Sequence, residues 1–114
     1  MRHIEVAETI LNQLGGNKFI VMTGAKNFVA LNEYDGALYF QIGKNASKAN
    51  RVKITLHWND TYTVEFINHT PYKFNVKTGK ETHEKNEVLK TVECVYCDTL
   101  QEVFTDYTGM YTHL

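Results

Sequence analysis

Serine, proline and cysteine are almost missing from this chain, and each shortage removes a class of function. The one serine, Ser47, stands in a polar loop between Gly43 and Asn50 and not in a nucleophile elbow, so a serine-hydrolase reading falls. Two cysteines are too few for the disulfide framework of a small secreted domain. The one proline, Pro71, follows a strand-like run and marks its end. Charge of one sign is also lacking: the net charge of −1 fits neither a dedicated duplex-DNA binder nor an acidic DNA mimic. No apolar run approaches the roughly 20 residues that a bilayer-spanning helix needs. The opening Met1-Arg2-His3-Ile4-Glu5 has no apolar segment of the secretory kind, and a cytosolic setting is expected. The sequons at Asn45, Asn59 and Asn68 then read as turn chemistry.

Catalytic patterns are equally scarce. The five histidines are scattered, with no pair at i, i+4 on a helix. Thr78-Gly79-Lys80 lacks the rest of a phosphate-binding loop, and no two carboxylates fall in contexts that would make one an acid and the other a base. Neither catalysis nor a cofactor is expected.

What is present describes a globular domain spanning 1–114. Hydrophobic residues make up 43% and charged residues 22% of the 114, and a chain of this size buries roughly two-thirds of its unfolded surface. Ile4, Ala7, Leu11 and Leu14 recur at helical spacing, which predicts a helix over 3–14 that ends at Gly15-Gly16. The apolar run 18–22 fits a buried strand or a helical turn. From Asn27 the period becomes two. Strands are expected at 28–31 and 37–42 around an Asp35-Gly36 turn, and at 52–58 and 61–66 around Asn59-Asp60. Tyr72, Phe74 and Val76 alternate again, residues 79–87 read as a charged, solvated connection, and 88–96 reads as the last strand. A helix over 97–108 ends at Gly109, and the tail 110–114 is apolar enough to pack back. The expected fold class is α+β: an antiparallel β-meander of five to six strands, with an N-terminal and a C-terminal helix packed on one face.

Two features could carry chemistry. Cys94 and Cys97 form a C-x-x-C near the expected start of the last helix, where the dipole would favour a thiolate. The surrounding βαβ pattern of a redox protein is missing, and a zinc site with His83 and His113 would lack the regular pairing of ligand clusters. The plain expectation is one cysteine in the core and one at a helix start. The second feature is a basic cluster: Lys44, Lys48, Arg51 and Lys53, with no acidic residue between Asp35 and Asp60. With Tyr39 and Trp58 on adjacent strands, this would track phosphates and stack the bases of a single-stranded nucleic acid. The plain alternative is a solvated loop beside a lysine-edged strand. The C-terminal third is acidic by comparison and suits a basic partner surface.

The stretch from Leu11 to Phe28, LNQLGGNKFIVMTGAKNF, and the ending from Leu100 to Leu114, LQEVFTDYTGMYTHL, resemble a family of small uncharacterised proteins of bacteriophages and mobile genetic elements. Between the two blocks the strands match in pattern only, and 79–87 looks like an insertion. The resemblance implies a bacterial host cytoplasm and an accessory role, and it transfers no catalytic residue. The expectation is a protein that binds a macromolecular partner, first of all a host protein or defence complex, in the manner of an anti-CRISPR inhibitor. The alternative is a single-stranded nucleic-acid-binding module built on residues 43–53. No membrane partner is expected, and an open sheet edge leaves room for self-association.

Overall fold

The computed structural model describes residues 2–110. Its elements run α1 (Arg2–Leu14), α2 (Asn17–Thr23), β1 (Lys26–Leu31), β2 (Ala37–Gln41), β3 (Arg51–Leu56), β4 (Tyr62–Thr70), β5 (Lys73–Phe74), β6 (Glu81–Thr82), β7 (Lys85–Val95) and α3 (Leu100–Thr108). A five-stranded antiparallel sheet has the order β1-β2-β3-β4-β7, and β5 with β6 forms a separate two-stranded ribbon. The α+β class and the helix-flanked meander therefore hold. The run 18–22 is the body of α2, which ends at Gly24 in the left-handed conformation with its N–H bonded to the Ile20 carbonyl.

Alternation decides which sheet face is covered. Leu38 and Phe40 of β2, Val52 and Ile54 of β3, and Val64 and Phe66 of β4 point to one side and are buried. Val6, Ala7, Ile10 and Leu14 of α1 and Leu100 and Phe104 of α3 close over them in one cluster. Phe19 of α2 is the wedge between the layers. Its ring meets Phe40 edge-on at 5.6 Å and Phe104 at 5.0 Å, the geometry that aromatic quadrupoles prefer. Phe66 stacks on Tyr107 at 4.3 Å. The core's buried threonines are satisfied locally: Thr23 and Thr108 donate to the carbonyls four residues back, Phe19 and Phe104. At the β1–β2 turn, α1 comes so close that a Cβ on Gly36 would sit 2.9 Å from Val6, and Gly36 has φ 120. Only glycine fits there.

Five expectations about these elements need correction. Residues 72–76 do not join the main sheet. Their pairing partner is the charged stretch expected to be an unstructured connection, through Lys73↔Thr82 and Phe74↔Glu81. That stretch continues into β7, where Thr70↔Lys85, His69↔Asn86 and Asn68↔Glu87 extend the β4–β7 ladder outward. The result is an arm, and every residue from 71 to 88 is exposed. It gives the molecule a radius of gyration of 15.1 Å and a long axis of 50 Å, where a compact chain of this length would have a radius near ~13 Å. The last helix begins at Leu100, not 97, because Tyr96–Thr99 forms a turn closed by the Thr99 N–H on the Tyr96 carbonyl. The β3–β4 connection is not a two-residue turn at Asn59-Asp60. Asp60 N–H bonds the His57 carbonyl and Asp60 alone is left-handed, so Trp58, Asn59 and Asp60 form a three-residue loop. At the β1–β2 turn the central residues are Tyr34 and Asp35, closed by the Gly36 N–H on the Glu33 carbonyl. Met110 packs against the core, while the rest of the expected tail, 111–114, lies outside the described residues.

Both rims of the sheet are broken. An extra residue interrupts β1 between Lys26 and Val29, and extra residues interrupt β7 at Leu89 and at Glu93-Cys94.

Candidate functional site

The 43–50 loop is built around one asparagine. Asn45 donates from Nδ2 to the carbonyls of Gly43 and Ala49, both at 2.9 Å, and its Oδ1 accepts from the Ser47 N–H and hydroxyl. Ala49 is buried in the core, and the Ala46 N–H reaches the Thr108 carbonyl at the end of α3. The loop is thus tied down at both ends, with Lys44 and Lys48 exposed on it.

Of the basic cluster read from the sequence, Lys44, Lys48 and Arg51 share one end of the sheet. Arg51 lies on the uncovered face, between Gln41 of β2 and Ile67 of β4. Lys53 also lies on that face, opposite Tyr39 and Glu65, but its ammonium is engaged by Glu33 and its side chain is only 21% exposed. Tyr39 is half-buried beside it. Trp58 is at the far end of β3, in the loop that leads to β4, so roughly 20 Å of strand separates it from the 43–50 loop. The structure therefore divides the six residues: Tyr39, Arg51 and Lys53 come together on the uncovered face, Lys44 and Lys48 join them at one end, and Trp58 does not.

The arm leaves from the same end as the basic loop. Asn50 stitches the two: it donates from Nδ2 to the His69 carbonyl at 2.8 Å and accepts the His69 N–H at 2.7 Å. The ribbon has two faces. Phe74 and Glu81 share one side, with the Tyr72 and His83 rings 6.3 Å apart, Lys73 and Thr82 share the other with the Asn75–Lys80 pair, and Val76 stands in the turn between the strands. Tyr72, Phe74, Val76 and Val88 are each at least half exposed, and the ring set beside Tyr72 is that of His83. Sequence reasoning found this alternation but could not see that nothing covers it.

Neither cysteine is in the core. Both are free and exposed. Cys94 is the left-handed residue of the second β7 bulge, with φ 57, and Cys97 lies in the turn before α3, outside the helix whose dipole would act on it. Among the described residues no group of three or more His, Cys, Asp and Glu side chains could hold a metal ion; His83 is on the ribbon, and His113 falls outside the described residues.

The end of the sheet opposite the arm holds a hollow of about 270 Å³ lined by His57, Trp58, Asn59, Thr61, Thr63, Glu93 and Cys94. The His57 ring bonds the Thr63 hydroxyl through Nε2 at 2.6 Å and meets the Tyr34 ring edge-on at 4.9 Å. Its members come from the β3–β4 loop, the start of β4 and the second β7 bulge, and no spacing in the sequence announced it. Tyr62 lies beneath, on the covered face. Burial pushes the Tyr62 hydroxyl above its usual 10.0, opposed by its hydrogen bond to Gln13.

No protein-family model, curated protein or solved structure matches the chain.

Proposed function

We propose that the chain acts by binding a protein partner through the β4–β7 arm and not by catalysis. One observation carries the reading: the arm holds Tyr72, Phe74 and Val76 exposed, with no core of its own beneath them. Exposed aromatic and aliphatic side chains on a projecting element are what interface hot spots are made of. Lys73 and Lys80 on the other side of the ribbon keep the free arm soluble. The resemblance of residues 11–28 and 100–114 supplies the setting: a phage or mobile-element accessory protein in a bacterial host cytoplasm, with a host protein or defence complex as the partner, in the manner of an anti-CRISPR inhibitor. The test uses the full chain and a version in which Asn-Gly replaces 71–84, both immobilised in bacterial lysate. A protein recovered in stoichiometric amount by the first and not by the second is the expected result. Recovery by neither, or by both equally, defeats the reading.

A second reading, single-stranded nucleic-acid binding, is favoured by one fact: Lys44, Lys48 and Arg51 share their end with the lysine-bearing arm. It requires oligonucleotide affinity that falls steeply with salt and is lost when Lys44 and Lys48 become Glu. It gives up Trp58 and Lys53 as contacts, one distant and one engaged by Glu33.

A further inference from the structure

We infer that the hollow at the end opposite the arm is a binding site for a cationic side chain, guanidinium or alkylammonium, presented by a basic segment of a partner protein. It rests on the protein-binding reading only for the source of the cation; the site itself is argued from its own geometry.

Aromatic surface is held open there. Trp58 and Tyr34 are 86% and 80% exposed, and both stand on turns that are firmly anchored. The Trp58 loop is closed by the His57 N–H on the Thr61 carbonyl at 2.9 Å, and the Tyr34 loop by the Asp35 N–H on Leu56 and the Leu56 N–H on Gly36. The anchored backbone fixes where each Cα–Cβ bond points, and neither ring is buried.

Strain collects at the same place. Of the four non-glycine residues with positive φ, Cys94 lines this hollow, Asp60 lies in the loop between its lining residues Asn59 and Thr61, and Tyr34 sets its ring against that of the lining His57. Aspartate tolerates that conformation, whereas tyrosine and cysteine adopt it at a cost, and neither side chain is buried in the core. Strain retained around a concave site points to use of the site.

Charge selects the ligand. Glu93 lines the hollow, Asp60 belongs to the loop that forms its wall, and Asp35 lies on the Tyr34 turn. Glu33 is spent on Lys53. No lysine or arginine is among the lining residues, and the imidazole that is, His57, bonds the Thr63 hydroxyl through Nε2. An indole face and a carboxylate around one opening attract a cation by ring quadrupole and by direct charge together. The volume, below the usual range for drug-sized ligands, suits a single side chain.

Trp58 is the chain's one tryptophan, so its fluorescence reports this site alone. The full-length protein is titrated with an oligo-arginine peptide, an oligo-lysine peptide and an oligothymidylate. A saturable change with the cationic peptides is expected, weakened about tenfold by Glu93→Gln, an effect on the scale of one partly desolvated cation–π or charge contact. Tyr34→Asn separates binding from folding: asparagine accepts the left-handed backbone, so thermal stability holds or rises while peptide affinity falls. The Asn-Gly version lacking the arm must bind the peptides as the full chain does, so failure of the arm reading leaves this result standing and the reverse. No saturable change, an equal response in Glu93→Gln, or a response confined to oligothymidylate overturns the inference, the last because bases stack on an indole without needing a carboxylate.

Discussion

The body of the molecule and its arm are made from the same strands yet obey opposite rules. Within the body, β4 contributes Tyr62, Val64 and Phe66 to a core closed by α1 and α3. Beyond Thr70 the same chain runs into residues that are exposed without exception up to Val88. Alternation continues across that boundary, so the polypeptide's local pattern is constant while its surroundings change. Alternation records that one face is apolar; a layer to cover that face must come from elsewhere in the chain. The helices of this protein are long enough to cover the sheet and not the arm.

That contrast can be broken or sharpened by substitution. The largest effect belongs to the body. Phe104→Ala removes a ring packed on Phe19 and Phe66 and should cost about 3–5 kcal/mol in a denaturant titration. In the arm, Tyr72→Ser with Phe74→Ser should leave the midpoint within about 0.5 kcal/mol of the parent, since neither side chain is buried. A loss of more than that would mean the arm folds back on the body. Hydrogen exchange should divide the molecule at the same boundary. Amides of Val52, Ile54 and Val64 should be protected to near the global limit, and those of 73–82 should exchange through local opening.

Smaller effects test the uncovered face and the layer beneath it. Lys53→Met removes the pair with Glu33 and should change stability by no more than ~1 kcal/mol, since Glu33 is nearly half exposed. Tyr62 gives an alkaline signature. Its folded-state pKa is raised by burial, so the stability this contributes is complete below pH 10.0 and is lost as pH climbs through the folded value. Tyr62→Phe should flatten that alkaline limb, measured by unfolding across the same pH range.

How much of this was legible from residues alone follows from how far each signal reaches along the chain. The helix at 3–14 and the strands either side of Trp58 were readable, because three or four apolar residues in phase suffice to fix them. The run 18–22 was not, since five apolar residues in a row carry no period, and its helical state depends on Phe19 finding Phe40 and Phe104. The basic loop was found, but its distance from Trp58 was not, because strand direction and loop length set it together. The hollow at the far end was invisible: it needs Trp58 of the β3–β4 loop and Glu93 of β7 brought together, and the β7 bulge that puts Glu93 and Cys94 there leaves no mark on composition.

The bulges have a further consequence. A sheet whose outer strands were regular would offer each copy of the chain a ready template for the next, and a meander with two open rims is a natural seed for stacking. Here a second copy approaching β7 finds the ladder out of step at Leu89 and again at Glu93-Cys94, and one approaching β1 finds it out of step before Val29. Growth by strand addition stalls after a few residues on either side. Register breaks on both rims thus oppose strand addition in a molecule that also holds an apolar arm out to solvent.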